Sequence, residues 1–258
     1  MPDINFDQLS ERFQKKIYGT TKGRVRLEVL WRDISEFIPD VNSNQVLQVL
    51  DAGCGMGQVS ARLAELGHYI VLNDISQSML DAACDVLSQH DVKHEYKVLH
   101  QPLQQLSETY AGKFDLVLNH AVLEWLEKPQ EAIDELIKLV RPGGFLSIMF
   151  YNIHSIVYRN LVRGNLRKVE RADWSGTGEG SLTPINPLEP NDVVRWIQDA
   201  GLSVVSKSGV RVFQDYLLRD IRAQVSDDDI VKTEIEFSRK EPYLELGRYI
   251  HLICRRPN

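Results

Sequence analysis

Between positions 46 and 152 the chain repeats one rhythm: a short and almost wholly apolar run, then a longer amphipathic stretch. "VLQVLDA", "YIVLND", "EYKVLH", "FDLVLNHAVL" and "GGFLSIMFYN" read as strands, and 58–66, 77–89 and 129–140 read as helices. Strands that are apolar on both faces need cover on both faces, so the pattern predicts a doubly wound α/β sheet that is mostly parallel. At 258 residues the chain can bury one large core of this kind, which predicts a single domain.

The flanks read differently. A mostly polar helical segment over 6–37, interrupted by a turn at "YGTTKGR", predicts a helical cap within residues 1–40. After the fifth strand, "RGNLRKVERADWSGTGEGSLTPINPLEP" is rich in Gly, Pro and charge, and predicts an insertion over 153–190. Residues 191–258 then offer a helix, a strand, a polar helical stretch and the strand "GRYIHLICRR", enough for a seven-stranded sheet with one antiparallel edge. Cys54, Cys84 and Cys254 lie far apart, so neither a metal site nor a disulfide framework is indicated. With no long apolar run and no leader pattern at the start, the expectation is a cytoplasmic protein without a membrane partner. A net charge of −6 argues against wholesale polyanion binding but leaves room for a local basic patch.

The first strand ends in "DAGCGMG". Such a loop faces whatever sits over the carboxyl edge of the sheet, and glycines allow close approach. A dinucleotide fingerprint is GxGxxG, whereas Gly53, Gly55 and Gly57 are spaced GxGxG, and Asp51 is badly placed beside a pyrophosphate. The acid suits a cationic ligand without phosphate, and S-adenosyl-L-methionine has that character. Asp74, ending the second strand, can accept from ribose hydroxyls, or cap the following helix. His120, after the fourth strand, either lines the methyl exit or is a satisfied strand-end residue. Arg26 can pair with the cofactor carboxylate or lie on a solvated helix face. Gln104 and the Leu103 N–H can meet the adenine ring, or form a surface turn.

"VLDAGCGMG", "LNDIS", "FDLVLNHAVLEWL" and "LVRPGGFLSIMF" resemble motifs of the class I S-adenosylmethionine-dependent methyltransferases, which implies a Rossmann-like sheet. The stretches "NFDQLSERFQKKIYGTTKGRVR", "MFYNIHSIVYRNLVRGN", "GVRVFQDYL" and "EPYLELGRYIHL" are similar to the CmoM family over nearly the whole chain. That family methylates the carboxyl group of 5-carboxymethoxyuridine at the tRNA wobble position to the methyl ester. The resemblance implies that Arg26, Gly53, Cys54, Asp74, Leu103, Gln104 and His120 hold the cofactor, and that the tRNA anticodon loop is the partner. Cys54 stands where relatives commonly carry glycine, and the insertion lacks the lysine-rich run of some relatives.

A carboxylate is already a nucleophile at neutral pH, so its acceptor site needs cations and alignment rather than a base. Tyr18, Lys22, Tyr151, Arg211, Arg248 and His251 are candidates for holding it, without a ranking among them. Arg159, Arg163, Arg167, Lys168 and Arg171 form either a phosphate-contacting patch or a solvated face. A small carboxylate or phenol as acceptor, and a non-catalytic cofactor-binding module, are the competing readings.

Overall fold

The computed structural model describes residues 19–172, 174, 184 and 186–258. Seven strands form one sheet in the order β3-β2-β1-β4-β5-β7-β6. They are β1 (Gln48–Ala52), β2 (Tyr69–Asp74), β3 (Lys97–His100), β4 (Phe114–His120), β5 (Val140–Tyr151), β6 (Ser203–Val210) and β7 (Tyr249–Arg255). The main helices among the described residues are α1 (Thr21–Phe37), α2 (Gln58–Glu65), α3 (Gln77–Ser88), α4 (Pro129–Leu139), α5 (Ile153–Val162), α6 (Leu166–Glu170), α7 (Pro190–Asp199) and α8 (Asp227–Phe237).

The first five strands are mutually parallel, whereas β7 runs antiparallel to both neighbours. The expected antiparallel edge is therefore corrected: β7 sits inside the sheet and β6 takes the edge. The reason lies in burial, since Ile250 to Cys254 are all covered while β6 leaves alternate residues open at its start. A strand buried along its length needs a neighbour on each side.

Local chemistry sets the helix starts. Thr20 caps α1 by accepting from the Gly23 N–H, so the helix begins at Thr21 inside the stretch read as a turn. Ser76 caps α3 through the Met79 N–H, and Pro129 opens α4, where its missing N–H costs nothing. On one sheet face α4 and α7 pack over Leu146, Ile148, Phe150 and Leu252. On the other, α2, α3 and the end of α1 cover Val49, Leu72, Leu116 and Leu118, while the start of α1 joins α8 over Met149 and Val210. The cap is thus one wall of the core. Residues 6–18, including Tyr18, and most of 173–185 lie outside the described residues. Among the described residues no helix is long and apolar enough to cross a membrane, and no cluster of three metal-ligating side chains occurs.

Candidate active site

In this sheet the strand order reverses between β1 and β4, and an open α/β sheet binds ligands at that point. The loop after β1 and the end of β4 face each other there, roofed by α1. Arg26, Asp51, Gly53, Cys54, Gln58 and His120 line one cleft.

The glycines serve the backbone first. Gly53, Gly55 and Gly57 have φ of +75°, +51° and +63°, a region that side-chain-bearing residues rarely adopt. A Cβ on Gly53 would lie 2.4 Å from Val122 Cγ2. The loop N–H groups are also spoken for: those of Gly53 and Cys54 donate to the Asn73 carbonyl, and that of Gly55 donates to Asp74 Oδ2 at 3.0 Å. The β1–β2 contact thus engages these three N–H groups. What the cleft presents is a set of acceptors.

Asp51 is buried and accepts from Ser60 Oγ at 2.6 Å. Burial pushes its carboxyl up to about 7; Ser60 and Arg26 work against this, and nearby Asp74 adds to it. Gln58 Oε1 is buried in the same cleft with no hydrogen-bond partner among the described residues. An ammonium or hydroxyl donor satisfies both, so the residues fit the amino-acid end of S-adenosylmethionine. Arg26, buried over the Tyr249 ring and 3.4 Å from the His120 carbonyl, supplies the one cation among the described lining residues. Burial, with His251 and Arg26 adding to it, holds the His120 imidazole well below its ordinary range, so the ring is neutral.

Asp74 stands beside the cleft, its other oxygen accepting from the Ser76 N–H at 2.9 Å. A carboxylate has room for more than these two donors. Leu103 and Gln104 occupy a short 3-10 turn after β3; the Leu103 side chain is in the core and Gln104 is exposed. Neither lines the cleft around Asp51.

A second pocket is also lined from α1, one turn nearer its start. Lys22, Arg159, Arg163, Gln214, Asp215 and Arg222 line it. Lys22 and Arg26 are one turn apart on α1, so one helix face serves both pockets. Between them the Tyr151 and Tyr249 rings meet edge to face at 5.2 Å, Arg248 lies over Tyr151, and Arg26 lies over Tyr249. Asp215 is the hub: Arg211 pairs with both its oxygens, Lys22 is 3.5 Å away and Arg248 3.7 Å. Burial alone would raise Asp215, but Arg211, Arg248 and Lys22 outweigh it and hold the carboxyl down to about 2. Among the pocket's lining residues the cations are Lys22, Arg159, Arg163 and Arg222, of which Lys22 pairs with Asp215 and Arg222 with Asp227, and Arg211 and Arg248 draw on Asp215 as well. Burial lowers Arg159, and Arg248 and Arg163 lower it further. Buried Arg159 Nε, Arg211 Nε and Gln214 Oε1 have no partner among the described residues. Such a pocket is short of negative charge.

The structure thus gathers Lys22, Arg211, Arg248 and Tyr151, but not His251. That side chain is wholly buried between Asp33 and Ser147, so its expected place at the acceptor mouth is corrected. Asn152 likewise caps α5 and holds the Glu245 and Gly247 carbonyls. Of the basic run, Arg159 and Arg163 line the pocket, while Arg167 and Lys168 on α6 do not. Sequence reading passed over Gln58, Gln214, Asp215 and Arg222, and also Glu124. The Glu124 carboxyl is pushed up to about 7 by burial, with Oε2 unpartnered among the described residues. In "RVFQD" Asp215 follows Arg211 by four residues, and the turn between them brings the two into an ion pair.

An acidic cleft at the switch point, roofed by an arginine and opening beside a basic pocket, defines the class: this is an S-adenosylmethionine-dependent methyltransferase. Residues 50–148 match the family described as "Methyltransferase domain". The fold is shared with magnesium protoporphyrin IX methyltransferase from Synechocystis with bound SAH (TM-score 0.61, 19% identity, 97% of this chain and 96% of that one). It is shared too with a protein from Pyrococcus horikoshii (TM-score 0.62, 16% identity, 96% and 99%). The chain is 38% identical to the tRNA 5-carboxymethoxyuridine methyltransferase of Escherichia coli strain K12, over 100% of this chain and 98% of the relative. The ubiquinone biosynthesis O-methyltransferase of Coxiella burnetii is 27% identical over 63% of this chain and 66% of that one. The chain belongs to the tRNA 5-carboxymethoxyuridine methyltransferase family.

Proposed function

We propose that this enzyme transfers the methyl group of S-adenosylmethionine to the carboxylate of 5-carboxymethoxyuridine at the tRNA wobble position, giving the methyl ester. The observation that carries this reading is the under-neutralised basic pocket beside the cofactor cleft, in a chain matched end to end by its E. coli relative.

The chemistry asks little of a base. A carboxylate oxygen attacks the methyl carbon in line with sulfur, the S–CH3 electron pair returns to sulfur, and opposite charges cancel into an ester and a thioether. The protein's task is to hold an anion against a cation at bonding geometry. Arg159, Arg163 and Lys22 supply the anion's partners, and Asp215 orders Arg211 and Arg248 from beneath. Asp51 and Gln58 hold the cofactor amine, Arg26 its carboxylate and Asp74 its ribose, with Leu103 and Gln104 toward adenine. The exposed Tyr158 ring on α5 and the Arg163 guanidinium suit unstacked bases of an anticodon loop.

The test is methylation of tRNA lacking the ester, read by nucleoside mass spectrometry. Conversion of the free acid to the ester at one uridine is expected. Equal efficiency on intact tRNA and on its nuclease digest would sink the tRNA reading and leave a small-carboxylate enzyme.

A further inference from the structure

Beneath the cofactor cleft, four side chains form a hydrogen-bonded line across the sheet, away from solvent. His120 Nε2 on β4 lies 2.8 Å from Ser147 Oγ on β5, which lies 2.9 Å from His251 Nε2 on β7. His251 Nδ1 lies 2.8 Å from Asp33 Oδ2 on α1. Asp33, Ser147 and His251 are each 0% exposed. Burying three polar side chains is unfavourable unless each is fully partnered, and methyl transfer to a carboxylate has no direct use for any of them. Their common end point is His120.

The direction of the protons follows from the far end. Arg32 Nη2, at 2.7 Å, and Arg239 Nη2 both donate to Asp33 Oδ1. Burial opposes ionisation, but the hydrogen bond from His251 and the Arg32 guanidinium keep the Asp33 carboxyl well below the usual range. An ionised carboxylate only accepts, so His251 carries its proton on Nδ1. When each ring carries one proton, His251 Nε2 accepts from the Ser147 hydroxyl and the Ser147 oxygen accepts from His120 Nε2–H; a second proton on His251 would reverse both bonds. That leaves a lone pair on His120 Nδ1. The second nitrogen of a histidine is commonly fixed by such a bond.

We propose that Asp33, His251 and Ser147 are positioning residues that hold His120 in its Nε2–H tautomer, presenting the Nδ1 lone pair to the cleft as a fixed acceptor beside Asp51. Cofactor donors then meet two acceptors whose directions are set before binding. The line also ties α1 to β4, β5 and β7, so the wall bearing Arg26 is registered against the strand ends. The inference concerns the cofactor half of the site and stands whichever molecule receives the methyl group.

The experiment is two-bond 15N–1H correlation of the histidine rings in the full-length protein, with and without S-adenosylhomocysteine. His120→Asn and His251→Asn supply the assignments. His120 should show the Nε2–H pattern alone. Ser147→Ala should turn it into a tautomer mixture and weaken cofactor Kd about tenfold, the scale of one oriented hydrogen bond. Ser147→Thr, which keeps the hydroxyl, should restore both, and Ser147→Ala should cost nothing more in a His120→Ala background. An Nδ1–H tautomer in the unmodified protein overturns the proposal without any variant having to fold. An unaltered tautomer and Kd in Ser147→Ala, or additive losses in the double variant, would overturn it as well.

Discussion

Asp51 links cofactor affinity to pH, and the size of the link can be worked out. Burial places its carboxyl at about 7, so at pH 6 about a tenth of the molecules carry the carboxylate that an ammonium needs, and at pH 7 about half do. Affinity for S-adenosylmethionine should rise about fivefold between these values, with close to one proton released per cofactor bound at pH 6. The cofactor's own α-amine titrates near 8 and stays protonated through this window. Calorimetry in two buffers of different ionisation enthalpy measures both the affinity and the proton count. Asp51→Asn should flatten the dependence and weaken binding at pH 7.5 by about 1.5–3 kcal/mol, the scale of a hydrogen bond to a charged partner. Glu124→Gln removes the other carboxyl held at about 7 near Arg26 and should leave the slope in place. A flat affinity in the unmodified protein refutes the reasoning; a slope that survives Asp51→Asn and disappears in Glu124→Gln moves it to the wrong acid.

Other outcomes follow from the two pockets. Asp74→Ala should weaken cofactor binding without unfolding the protein, because the acid stands at a strand tip and anchors Gly55 and Ser76 rather than the core; equal calorimetric affinity would refute its ribose role. Arg163→Glu combined with Arg167→Glu should raise the KM for tRNA, more at low salt than at high, since phosphate contacts are screened; an unchanged KM at low salt would remove this face from the tRNA site. Asp215 is held at about 2 against an ordinary value near 4, so its lowered pKa contributes stability above pH 4 that is lost as pH falls toward 2. Asp215→Asn should therefore be less stable at pH 7 by about 2–3 kcal/mol, a gap that closes in acid. Denaturant melts of both proteins at pH 7 and pH 3 decide it, a constant gap being the contrary result.

The sequence alone determined the local pieces, because their causes are local. Apolar runs gave five parallel strands, Gly57 and Asp51 gave a loop unsuited to a pyrophosphate, and "YGTTKGR" held the cap of α1, although that helix begins at Thr21, inside the turn residues rather than after them. The resemblance supplied the family before any coordinate did. Tertiary structure decided what depends on residues brought together from far apart. Asp33 and His251 are 218 positions apart, and the second pocket draws Lys22, Arg159, Asp215 and Arg248 from four segments. No periodicity marks such partners, so His251 looked like an acceptor-site histidine and Asp215 went unremarked. The place of β7 inside the sheet was equally invisible, since strand order is fixed by which neighbours bury Ile250 to Cys254 on both sides. Composition tells that a strand must be covered; only packing selects what covers it.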